Sequence, residues 1–317
     1  MVRLLIAVAA LAACGRSQGV PDRELGDLVI APKTNADPID LSRAKKDPAE
    51  LGRALRLPEH AVAAALGPHT VSISTATTVD EAGKRVQELT DHVTIELGDK
   101  GAWHAIYANS ADYGRETIFI PASGGDKLYL RPRYQRWHER APETPDEPQQ
   151  LRDGYYEAIA ATWDLVAPAA ELTDLGPASV AGRAGEKIRL ELSPRPNKPP
   201  AEPLQQRKWR EKRSIDALTG EVVLDAEKGV PLAVRLTGSI GFSRDGRRFS
   251  MNLSLDASIA GIGQVAQVAA PGADDVVATP ERLREVDDRD FLLQGIAPPL
   301  RKNADGTAVA PAPKEKP

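Results

Sequence analysis

Five histidines (His60, His69, His92, His104 and His138) and one cysteine, Cys14, are the side chains best suited to metal or nucleophilic chemistry in this 317-residue chain. None of the histidines forms an HExxH pair or another close metal-ligand spacing, and a single thiol supplies at most one soft ligand. His92 and His104 fall on adjacent expected strands, on the same polar side. They read as solvated sheet residues, with a metal pair as the alternative. Ser72, Ser74 and Thr75 have no GxSxG elbow around them, so nothing marks an activated hydroxyl. No glycine-rich phosphate cradle occurs, and Gly124-Gly125 reads as a hairpin turn. Paired carboxylates from distant segments remain open, but 45 acidic residues give no basis for choosing a pair. The expectation is no enzyme, no catalytic residue, no metal and no cofactor, with an exported hydrolase as the remote alternative.

Cys14 closes an apolar run. Arg3 gives a charged start, and Leu4 to Ala13 is apolar throughout but well short of the ~20 residues a bilayer span needs. The run reads as a secretory signal, residues 1–13, with small residues before a cut between Ala13 and Cys14. A lone thiol also suits an oxidising compartment, where it has no disulfide partner. Leu11-Ala12-Ala13-Cys14 resembles the lipobox of bacterial lipoprotein signals, and that resemblance implies lipidation of Cys14 as the mature N-terminus. Each buried CH2 of an acyl chain contributes about 0.8 kcal/mol, so one chain holds marginally and two hold firmly. The alternative is an inert cysteine in an ordinary signal. Gly15 replaces the aspartate that marks inner-membrane retention in enteric-type sorting. The expected address is therefore the outer membrane, facing the periplasm, with surface display compatible.

The formal net charge of −4 is mild, so no global field recruits nucleic acid. Hydrophobic residues make up 41% of the chain and aromatic ones 4%, so the core must be built of Ala, Val, Leu and Ile. No second apolar run approaches spanning length. A monomer is expected, organised as a flexible tether over 14–45, one domain over 46–296 and a disordered Ala/Pro/Lys-rich tail over 297–317. A Pro- and charge-rich insertion at 194–208 interrupts the domain.

Asp47-Pro48-Ala49-Glu50 predicts a helix start, and a second short helix follows Pro58. After Pro68 the period changes to two: Val71, Ile73 and Thr75 alternate with Ser72 and Ser74. Val93, Ile95 and Leu97 repeat that pattern before Gly98-Asp99-Lys100-Gly101. A three-residue loop with Gly101 left-handed pairs Leu97 with Trp103, Ile95 with Ala105 and Val93 with Tyr107, collecting the apolar side chains on one face. Asp245-Gly246 predicts a two-residue turn that sets Phe242 opposite Phe249, Ile240 opposite Met251, Gly238 opposite Leu253, Leu236 opposite Leu255 and Leu232 opposite Ile259. One face is then greasy from end to end. Further strands are expected at 116–121, 127–139 with a break near Pro132, 186–193 and 221–226. A helix over 147–166 carries Leu151, Tyr155, Ile159 and Trp163 on one stripe, and another is expected after Thr279-Pro280-Glu281.

Residues 129–140 are the densest basic-aromatic stretch. Arg131, Arg133, Arg136 and Trp137 could meet lipid headgroups or a partner, because arginine forks grip phosphate and carboxylate. The alternative is a strand with arginines on its wet face and rings on its core. Arg207, Lys208, Arg210, Lys212 and Arg213 read as a solvated strand end, with a headgroup or peptidoglycan contact as the alternative.

Gly220-Glu221-Val222-Val223-Leu224-Asp225, Gly229-Val230-Pro231-Leu232-Ala233-Val234, and the step from Val180-Ala181-Gly182-Arg183 into Ile188–Leu192 resemble the LolA/LolB-type lipoprotein-carrier superfamily, including LppX-like lipid carriers. The similarity in order covers roughly residues 58–260. It implies an α+β fold: a curved antiparallel half-barrel sheet whose concave apolar face is covered by helices. By the same resemblance, lipid or an acylated lipoprotein would bind against Leu232, Val234, Leu236, Ile240, Phe242, Phe249, Met251, Leu253 and Leu255. Tyr155 and Trp163 of the 147–166 helix read first as helix-to-sheet packing and second as a lid over an acyl cavity, and Gly238 would leave room for a chain. A structural or partner-binding envelope lipoprotein without a cavity is the rival.

Overall fold

Aspartates start the first helices. The computed structural model describes residues 38–195, 213–244 and 246–277, all within a unit that begins at Pro38. Asp40 accepts the backbone N–H groups of Ser42 and Arg43 and opens α1, Leu41–Ala44. Asp47 accepts that of Ala49 and opens α2, Pro48–Leu55, with proline in the first turn where its missing N–H costs nothing. α3, Glu59–Leu66, ends at Gly67, whose φ of 75° turns the chain out of the helix. Ala44 is fully buried, so the packed unit starts before the expected boundary at 46.

The strands are β1 Thr70–Glu81, β2 Lys84–Leu97, β3 Trp103–Asn109, β4 Gly114–Ile120, β5 Lys127–Pro132 and β6 Trp137–Arg140. After two helices, α4 Glu147–Tyr156 and α5 Ala158–Val166, come β7 Ala170–Val180, β8 Arg183–Leu192, β9 Arg213–Asp225, β10 Pro231–Arg244, β11 Arg247–Ala260 and β12 Val276–Val277. They form one twelve-stranded sheet in the order β12-β6-β5-β4-β3-β2-β1-β11-β10-β9-β8-β7. Neighbours are antiparallel except β12 with β6. The sheet is open, with β12 and β7 at its margins, and the fold is a curved half-barrel of the α+β class.

Both registers read from sequence hold. Leu97 pairs with Trp103, Ile95 with Ala105 and Val93 with Tyr107, and Gly101 sits at φ 85°. Phe242 pairs with Phe249, Ile240 with Met251, Gly238 with Leu253 and Leu236 with Leu255. The expected strand at 127–139 is two strands, divided by a turn in which Tyr134 takes a left-handed φ of 66°. The single helix expected over 147–166 is α4 and α5, separated by the turn residue Glu157. β9 starts well before 221, and β7 was not anticipated: its sequence is polar, with a bulge at Asp174/Gly176 followed by Pro177. Cys14, the basic run at 207–212, the helix expected after Thr279 and the tail lie outside the described residues, as does most of the 194–208 insertion.

The registers line up one apolar row across seven strands. Tyr107, Val93, Ile73, Ala257, Val234, Val222 and Ile188 stand side by side on β3, β2, β1, β11, β10, β9 and β8. All but Tyr107 are buried, and helices close over them. At ~1.5–3 kcal/mol for a fully buried large apolar side chain, this face is the main favourable term in the fold. A smaller cluster on the other face, Ile118, Tyr129 and Trp137, packs against Val268 and Val276.

Candidate functional site

The two helices over the concave face are held in different ways. α5 lies over β1 and β11, while α4 lies over β2 and β3. α5 is apolar: Ile159, Trp163 and Val166 are all buried, and Trp163 is among the largest enclosed side chains. Its Val166 fills the notch at Gly238, with Cγ1 3.2 Å from where a Cβ would stand. The room expected there for a guest chain is thus taken by the protein itself. Leu232, Val234, Leu236, Ile240, Met251, Leu253 and Leu255 are buried in the same core. The gap left between Tyr156 and Ile159 on one side and Val71, Leu232, Val234 and Ile259 on the other is about 10 Å3. Further along the hairpin, Phe242 and Phe249 stack with centroids 5.3 Å apart, each partly exposed. They adjoin a surface cleft of about 340 Å3 that also includes Asp80, Ser214, Asp216 and Ser250.

α4 is polar, and side-chain bonds tie it down. Arg140 of β6 pairs with Glu147 at its first turn. Asp153 accepts the backbone N–H of His60 at 3.0 Å and meets the His60 ring at 2.6 Å. Arg115 Nε donates to Tyr155 Oη at 2.9 Å with its guanidinium over the tyrosine ring, and Thr117 Oγ1 lies 2.7 Å from the same hydroxyl. Tyr155 is therefore buried, but by a polar collar and not by a purely greasy seat.

Beneath α4 lies a group with no motif to announce it. Glu59 is fully buried and ion-paired with Arg152 of α4. His69, also buried, donates through Nδ1 to the Gly67 carbonyl at 2.8 Å, and its Nε2 stands 3.7 Å from Glu59. Burial pushes the Glu59 carboxyl up to about 7, against the pull of Arg152. Burial lowers the His69 ring below its ordinary value. The Tyr156 hydroxyl is pushed up by burial and by Glu59. A glutamate at the first position of a helix reads in sequence as a dipole partner, which hides this cluster.

The basic-aromatic stretch is largely satisfied from within. Arg131 pairs with Glu116 and lies over Trp137 with 4.5 Å to the ring centroid. Arg133 meets Asp112 at 3.0 Å and flanks Tyr134, and Arg136 donates to the Asp274 carbonyl. Trp137 is buried in the reverse-face cluster. A cleft of about 260 Å3 remains beside Ile106, Arg131, Arg133 and Tyr134. His104 bonds Glu116 at 2.7 Å, and His92 bonds Ser74 at 2.9 Å. They share a face, but Glu96 stands opposite His104 and Ala108 opposite His92, so the rings do not converge. Among the described residues no three His, Cys, Asp or Glu side chains are grouped to hold a metal.

No protein-family model matches the chain, and no curated protein matches it in sequence. Solved structures do align with it. LprF from Mycobacterium bovis is 12% identical over 72% of this chain and 100% of its own, at a TM-score of 0.27. LppX from Mycobacterium tuberculosis is 14% identical over 67% and 94%, at 0.25. A LolA-superfamily protein from Nitrosomonas europaea is 8% identical over 72% and 97%, at 0.19. At TM-scores this far below 0.5 the superpositions decide nothing by themselves, and the fold stands on its strand order and registers.

Proposed function

We propose that this chain is a lipoprotein of the cell envelope, anchored through Cys14 to the outer membrane and facing the periplasm. It holds a lipid, or the acyl chains of an acylated protein, against the concave face of its sheet, as a monomer and without catalysis. The observation that carries this reading is the seven-strand apolar row, covered at β3, β2, β1 and β11 by two helices, one of which is attached mainly by polar bonds. An apolar wall with a polar-tethered cover suits reversible access. Because the protein's own side chains fill the closed form, the guest enters where α4 moves off β2 and β3, and it reaches Leu236, Phe242, Phe249 and Met251 of β10 and β11 as α5 gives way behind it. Tyr155 and Trp163 then border the chain. The test uses the intact sequence with Cys14→Ser, examined by native mass spectrometry and titrated with a fluorescent fatty acid. Saturable uptake at one or two sites is expected. Absence of both bound lipid and uptake would defeat the proposal.

A second reading is favoured by the contact of Val166 with Gly238 and by the small residual gap. Here the core is solid and the protein acts as a scaffold, with Arg131, Arg133 and Arg136 offering an exposed basic surface to a partner. This reading expects no uptake and a partner whose capture is lost when these arginines are reversed in charge.

A further inference from the structure

α4 combines two properties that seldom meet in a core helix. It covers an apolar wall, and its inner anchor is an ion pair whose carboxylate, Glu59, is closed off from water. Burying two charges costs more than their attraction returns unless further hydrogen bonds complete the set, so such a pair is a weak fastener with a strong dependence on charge state. Neither oxygen of Glu59 has a well-formed hydrogen bond, and Nε2 of His69 has none. The groups facing Glu59 are Arg152, Asp153 and Tyr156 from α4 and His69 from the turn before β1; His60, next to it in its own helix, is engaged by Asp153.

We propose that α4 is the movable cover of the concave face and that Glu59, Arg152 and His69 form its latch, whose protonation sets how firmly the cover stays down. The role as cover rests on the lipid-binding reading above. The latch itself is measured without lipid, so the two ideas fail separately.

The signs follow from linkage. Glu59 binds its proton more tightly when α4 is docked, since its ordinary value is 4.5 and the docked value about 7. Its contribution to docking is full below 4.5 and is lost as pH rises through about 7. His69 does the opposite. Its ordinary value is 6.5 and docking lowers it, so its contribution is full above 6.5 and is lost as pH falls. Just below 6.5 the two contributions have opposite slopes and offset each other. Above 6.5 only Glu59 titrates, and the cover loosens.

Hydrogen exchange on the intact chain, from pH 4.5 to 8 and corrected for intrinsic rates, reads this directly by comparing amides 147–156 with 158–166. His69→Gln leaves Glu59 alone: protection of α4 should fall by up to about tenfold per pH unit between 4.5 and 7, with α5 unchanged. Glu59→Gln should invert the trend, so that protection falls only toward acid below 6.5. Protection of α4 that is flat in both variants, or α4 and α5 opening together, would overturn the latch. Should a variant misfold, visible as lost protection in the sheet strands as well, the parent chain decides. Its α4 protection should drop by up to about threefold from pH 6.5 to 8, and a flat profile refutes the proposal. A chain that takes up no fatty acid yet shows these trends keeps the latch and loses the lipid reading.

Discussion

Val166 of α5 stands against Gly238 of β10, its Cγ1 3.2 Å from the position a Cβ would occupy. The glycine is a socket. A bulkier residue there must push α5 away from the sheet, and overfilling a packed core of this kind costs about 1–3 kcal/mol. Gly238→Val should lower the urea midpoint accordingly with an unchanged m-value. An equally stable variant would mean that α5 is not seated as described.

Trp163 is the other half of that seat, with 1% of its surface exposed. Trp163→Ala should destabilise by about 3–5 kcal/mol. If a guest chain can occupy the wall, the space left by the indole should also strengthen fatty-acid uptake. Stability and binding then move in opposite directions, which a titration beside a denaturation curve will register.

Asp225 has a buried carboxylate at the end of β9, held by Arg183 and by the backbone N–H groups of Glu227 and Lys228. Burial alone would raise its pKa, but those donors outweigh it and hold the carboxyl below its ordinary range. A depressed pKa contributes stability above about 4, lost as the pH falls through the folded-state value. Asp225→Asn should cost about 1–3 kcal/mol at pH 7, and the gap between variant and parent should narrow below pH 4 in denaturant titrations.

Gly101 closes the β2–β3 turn at φ 85°. Ala there must adopt a left-handed backbone, at about 1–2 kcal/mol. Gly101→Asn should cost less than Gly101→Ala, and thermal unfolding of the pair will show the order.

The two hairpins were legible because strict alternation leaves one register that keeps every apolar side chain on one face, as Leu236 opposite Leu255 illustrates. The division of 147–166 was not. Leu151, Tyr155, Ile159 and Trp163 keep their spacing across Glu157, so the stripe carries no trace of the break. β7 escaped because an edge strand with Gly176 and Pro177 lacks a two-residue period. The Glu59 cluster escaped for a different reason: its partners come from separate helices and a turn, and burial of a charged side chain is a property of the assembled core.

The place of β1 has a consequence for how the molecule is made. β1 lies mid-sheet, hydrogen-bonded on one flank to β2 and on the other to β11, so Thr70 meets Ala260. A strand emerging early in synthesis must therefore wait, with one margin bare, until nearly all the described chain has followed. Such distant pairing makes folding slow and late. The unfinished half-sheet would be an adhesive intermediate, and a chaperone that shields the free margin of β1 would do more for yield than any added stability in the finished fold.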